Sequence, residues 1–170
     1  MSLQGDLLKQ SRQLATREPR KPKQASLRRA ISTAYYAFFH LLVDEATKLL
    51  LGSSPSRKNL RLCARRAFVH SNMKEAAKGF ASGAVSEKIA PGLNALAVQP
   101  ELENLAGVFI ELQQARHEAD YDALRIFTKA EALELVSQAE QAFDDWHVVK
   151  GTIQADSFLV SLLILKALKG

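Results

Sequence analysis

Apolar residues recur along this chain at the 3.6-residue period of an α-helix, and no window alternates like a strand. The interruptions divide the pattern into six helical segments. The first is expected from about Leu3 to Thr16, with Leu7, Leu8 and Leu14 as its apolar residues. "REPRKPK", Arg17 to Lys23, ends it with two prolines and several charges. A long second helix follows from about Gln24 to Leu51 and stops at "GSSPS". The third is expected from about Ser56 to Ala81, with Leu60, Cys63, Ala67, Met73, Ala77 and Phe80 on its buried side.

"SGAVSEKIAPGLNALAVQP" is less regular and has room for one short helix. Pro100 opens the fourth helix, with Glu101 and Glu103 where acidic side chains suit the helix dipole. Leu105, Val108, Phe109 and Leu112 form its apolar face. "TKAE", Thr128 to Glu131, is a capping box for a fifth helix reaching about Lys150, where Gly151 ends it. The last helix is expected from about Ala155 to Leu168. The expected architecture is an all-α, up-and-down bundle of five to six helices in one domain. Its apolar C-terminal stretch, residues 152–170, packs on the core or on a partner subunit.

The composition agrees with a globular chain: of 170 residues, 47% are hydrophobic and 24% charged. Cys63 is the single cysteine, so no intrachain disulfide forms. No basic-then-apolar leader opens the chain, and "FLVSLLILKAL", Phe158 to Leu168, is too short to span a bilayer. A cytoplasmic protein without a membrane association is therefore expected. The net charge of +5 conceals a division: residues 1–100 carry 17 basic and 6 acidic side chains, residues 101–170 carry 6 and 12. A nucleic-acid-facing side accounts for this, and so does one half neutralising the other within the fold or across a dimer.

Three stretches hold the candidate chemistry. In "LRRAISTAYYAFFH", Leu27 to His40, the residues Arg29, Ser32, Tyr36 and His40 fall on one stripe roughly 80° wide. Such a stripe suits the lining of a groove; the alternative is that Tyr36 and His40 are half-buried and bonded to nearby backbone. In "ARHEADYD", Ala115 to Asp122, Arg116 is four residues before Asp120, and His117 four before Tyr121. This is a concentration of titratable groups at a helix end, or simply a charged C-terminus with local pairs. The third helix carries Arg57, Lys58, Arg61, Arg65, Arg66, Lys74 and Lys78 against Glu75. Arg61, Arg65 and Arg66 are candidates to track a phosphate backbone; a solvated basic face is the alternative. Arg65 and His70 are five apart and would diverge by about 140° on a continuous helix. Gly-rich phosphate loops, cysteine clusters and metal-ligand histidine spacings are absent, so neither a metal nor a cofactor is expected.

"RRAISTAYYAFFHLLVDEA" followed by "ARHEADYD" resembles the HEPN domain superfamily over roughly residues 1–150. It is most similar to a bacterial subgroup with an Arg shortly before Ala-Tyr-Tyr and a second motif Arg-x-x-Ala-Asp-Tyr. The resemblance implies a helical bundle that dimerises, with a groove at the interface, often partnered by a nucleotidyltransferase. Many members are metal-independent ribonucleases, among them toxins of toxin–antitoxin pairs. In that chemistry the RNA 2′-hydroxyl attacks the adjacent phosphate; Arg116 would steady the charge, His40 or His117 would move protons, and Asp120 would orient them. The family's Arg-x4–6-His reads here as Arg116-x4-Tyr121, and a tyrosine with an ordinary pKa near 10 is a poor base at neutral pH. RNA or nucleotide association, with or without cleavage, is the leading expectation. A non-catalytic dimerisation or interaction module is the alternative.

Overall fold

The computed structural model describes residues 2–169, and among them every regular element is helical. Seven α-helices span α1 Leu3–Thr16, α2 Gln24–Leu51, α3 Lys58–Arg65, α4 His70–Ala81, α5 Pro100–Tyr121, α6 Lys129–Val149 and α7 Ile153–Lys169. Short 3-10 turns stand at Pro55–Arg57 and Ala90–Leu93. No described helix is long and apolar enough to cross a membrane.

The helix count exceeds the expectation because the third segment is two helices, broken between Arg65 and His70. Arg66, Ala67 and Phe68 close the turn through bonds to the carbonyls of Cys63, Ala64 and Arg65, and Val69 is extended, with ψ 126°. The predicted buried side fails at its beginning: Leu60, Cys63 and Ala67 are exposed, and α3 has no buried residue. Met73, Ala77 and Phe80 on α4 are buried as the spacing predicts. The connection before α5 does contain one short helix, the turn at Ala90–Leu93.

The chain divides into two compact units. The first comprises residues 1–40 and 108–144, bringing together α1, the start of α2, the end of α5 and most of α6. Its centre is aromatic: Phe109 lies 5.7 Å from Tyr35 and 6.0 Å from Phe38, and Phe38 6.2 Å from Phe143. Phe38 and Phe109 are fully buried, each contributing about 1.5–3 kcal/mol. Two polar clasps fix the ends. Gln24, at the start of α2, donates to the Phe127 carbonyl at 2.6 Å and accepts from its amide at 2.9 Å. Arg12 of α1 forks onto Glu140 and donates to Ser137 at 2.9 Å, both on α6. The Thr128–Glu131 capping box forms in both directions, at 3.1 and 2.7 Å.

The second unit comprises residues 41–107 and 145–170. Phe80 of α4 meets Phe158 of α7 edge-on at 5.0 Å, so the apolar C-terminal helix packs on this unit's own core. Gln154 ties α7 to the preceding connection, accepting from the Gln99 amide at 2.8 Å and donating to the Ala97 carbonyl at 2.7 Å. Gly52 and Gly151 end α2 and α6 at φ of 78° and 84°, where a side chain would be strained.

Candidate functional site

Arg116 is the centre of a cluster in the first unit. Its position on α5 turns it toward α2, where Tyr36 occupies the facing turn. The guanidinium Nη2 donates to the Tyr36 hydroxyl at 2.6 Å, and Nε stands 2.9 Å from the Asp120 carboxylate one turn along α5. Three tyrosine rings surround the cation, with centroids 5.3 Å (Tyr36), 5.5 Å (Tyr121) and 6.0 Å (Tyr35) away. Ser32, buried one turn before Tyr36, donates to Asp120 at 3.4 Å. Ser32, Tyr36, Arg116, Asp120 and Tyr121 therefore form one arrangement, as the two motifs suggest.

Burial works against the Arg116 charge, but the bond to Tyr36 and the fields of Tyr36, Asp120 and Tyr121 outweigh it, so its pKa lies above the ordinary value. Burial pushes the neighbouring Tyr35 hydroxyl well up, with the Arg116 charge only partly opposing it. Tyr35 is thus a neutral packing residue. Arg116 itself is a strongly held cation whose donors already face an anion and a hydroxyl.

The remaining candidates stand around this centre in different ways. His117 is exposed on α5, its ring 5.1 Å from that of Tyr121. Tyr121 ends the helix with two-thirds of its surface exposed. His40 is half-buried, its ring against Phe39 at 5.4 Å and Tyr36 at 6.3 Å on its own helix.

Arg29 is exposed, and its neighbour Arg28 takes the place expected for it. Arg28 crosses to the end of α5 and donates to the carbonyls of Ala119 (2.9 Å), Asp122 (2.8 Å) and Arg125, with that of Glu118 at 3.5 Å. The Ala119 carbonyl is among those a helix C-terminus leaves without intrahelical partners, and those of Asp122 and Arg125 belong to the turn that follows. The wheel put Arg29 on the stripe, and the position of α5 brings Arg28 to it instead.

Arg125 was also hidden from the sequence. It lies over the Phe127 ring at 4.5 Å and pairs with Glu131 at 2.7 Å and Glu118 at 3.4 Å. Its bond to Glu131, with those from Thr128, holds that carboxyl at a pKa of about 2. Asp122 stiffens the same turn, accepting the amides of Leu124 at 3.0 Å and Arg125 at 3.2 Å. The turn after α5 is therefore built on side chains from three elements.

The basic third segment makes a set of local contacts. Arg57 donates to the Leu51 carbonyl at 2.9 Å, and Arg61 to those of Gly52 and Ser54 at 2.7 and 3.0 Å. Arg65 pairs with Asp44 at 3.2 Å. Arg61 and Arg65 are engaged in capping α2 and anchoring α3, while Arg66 is exposed. Among the described residues no group of His, Cys, Asp and Glu is placed to hold a metal ion.

Compared with known proteins, the chain matches no family model, no curated protein and no solved structure.

Proposed function

We propose that this chain is a HEPN-like helical protein that associates with RNA or a nucleotide through the Arg116 cluster. The observation carrying the reading is the 2.6 Å bond between Tyr36 and Arg116, which joins the Ala-Tyr-Tyr and Arg-x-x-Ala-Asp-Tyr motifs in one place. A polynucleotide at this cluster would lie along His117, Asp120 and Tyr121, with the Arg116 charge beneath them. Metal-independent cleavage would need His117 to handle protons, since Tyr121 stands at the spacing of the family's histidine. The homodimer, the nucleotidyltransferase partner and a toxin-like role follow from the resemblance and belong to the same proposal.

A second reading is favoured by the engagement of Arg116 with Tyr36 and Asp120: a non-catalytic interaction module in which the cluster ties α2 to α5. The two separate in one experiment. The native protein, Arg116→Ala and His117→Ala are incubated with single-stranded and structured RNA in the presence of a chelator. RNA binding and cleavage are read together, and circular dichroism checks that each variant folds. RNA binding without cleavage supports association alone. Cleavage that His117→Ala abolishes, in a folded variant, supports the ribonuclease. Failure of the native protein to bind any RNA leaves the interaction module.

A further inference from the structure

Tyr121 is an unusual place for an aromatic ring, because it is two-thirds exposed on a turn that several side chains hold still. Arg28 and Asp122 bind that turn's backbone, and Arg125 lies in it, stacked on Phe127. A mobile surface tyrosine would need no such support. Tyr121 and Arg125 also line two hollows in common. The larger, about 740 Å³, is completed by Gln114, His117, Glu118 and Asp122. The smaller, about 430 Å³, reaches past Asp120 and Ile126 to Gln24 and Arg28. Both are open depressions of the surface rather than enclosed cavities.

We propose that Tyr121 is a stacking post for one unpaired nucleobase, seated in the larger hollow, and that the hollow prefers guanine. The inference rests on the RNA-association reading and gives that site its recognition chemistry. Stacking needs an exposed ring held in position; His117, tilted 48° to Tyr121, extends the aromatic wall. The preference follows from the polar rim. Glu118 accepts from Gln114 at 3.0 Å and from Arg125 at 3.4 Å. Asp122 gives one oxygen, Oδ1, to the turn amides, so Oδ2 is the oxygen left for a ligand. Ionised carboxylates only accept hydrogen bonds. Guanine presents adjacent N–H donors at N1 and N2. Adenine and cytosine set an amino group beside an acceptor nitrogen, and uracil has one N–H between two carbonyls. A base already paired in a duplex has neither its face nor this edge available.

The test is fluorescence anisotropy with uridine octamers carrying a single central guanosine, adenosine or cytidine, beside the all-uridine octamer and an RNA duplex. The guanosine octamer is expected to bind several-fold more tightly than the others, and the duplex most weakly. Tyr121→Ala, whose exposed position leaves folding intact by circular dichroism, should lose about tenfold affinity for every octamer, as removal of one stacked base does. Tyr121→Phe should keep the native affinity. Asp122→Asn retains an oxygen for the turn amides but replaces the other with a donor, so it should remove the guanosine preference, bringing the guanosine octamer to the affinity of the all-uridine one. Native binding that Tyr121→Ala does not weaken overturns the stacking post while RNA association stands. Equal affinity for all four octamers overturns the guanine preference. Absence of native binding to every RNA removes the RNA reading itself, and this inference with it.

Discussion

Tyr36 and Arg116, separated by 80 positions in the chain, meet in a 2.6 Å hydrogen bond whose donor is a largely buried guanidinium. Tyr36→Phe removes the hydroxyl and keeps the ring over which the cation lies. Urea unfolding should show a loss of about 1.5–3 kcal/mol, the scale of a bond to a charged group. In an Arg116→Met background the same substitution should cost much less. Equal costs in both backgrounds would mean that the hydroxyl contributes through something other than Arg116.

Arg28 and Arg29 are adjacent but unequal. Arg28→Ala strips the end of α5 of its main side-chain cap, and about 1–3 kcal/mol of stability should go with it. Arg28→Lys should recover little, because one ammonium cannot reproduce the fork that spans several carbonyls. Arg29→Ala, at an exposed position, should stay within about 0.5 kcal/mol of native. Comparable losses at the two positions would contradict the capping role.

Glu131 predicts an acid limb in stability. Its carboxyl titrates near 4.5 when unpaired and at about 2 in the folded chain, because Arg125 and Thr128 bind its charged form. A depressed carboxyl contributes stability above its unfolded pKa and loses it as pH falls toward the folded value. Native protein should therefore be more stable than Glu131→Gln at pH 7. That advantage should shrink between pH 4.5 and pH 2, followed by thermal unfolding across the range. A difference independent of pH would rule the linkage out.

α3 owes its place to its arginines, since none of its residues is buried. The double variant Arg57→Ala, Arg61→Ala should let the helix open locally with little change in the global urea midpoint. Trypsin cleavage after Lys58, Arg65 or Arg66 should then accelerate several-fold. Unchanged cleavage would show that the caps are dispensable.

The helical class, the boundaries of α1 and α2, the start of α5 and the capping box of α6 were legible because each rests on local chemistry: period, proline, glycine and short-range side-chain bonds. The continuity of the third segment was not. A helical period runs through Arg66–Val69, but the backbone there turns through bonds to carbonyls three residues back, and a periodicity cannot register that. The buried side assigned to Leu60, Cys63 and Ala67 failed for the same reason. It assumed one continuous face, and Arg57 and Arg61 instead point at the end of α2.

For the candidate site, the two motifs supplied Ser32, Tyr36, Arg116, Asp120 and Tyr121, which meet, together with Arg29, His40 and His117, which stand around them. Tertiary structure alone decided the roles. It brought Arg28 rather than Arg29 to the end of α5, engaged Arg61 and Arg65 in local contacts, and added Arg125 beneath the turn that carries Tyr121. Helical spacing states which side chains share a face, but the partner across the gap depends on which carbonyls and carboxylates the packing brings within about 3 Å. That distance is set by the whole unit and is written in no single stretch of it.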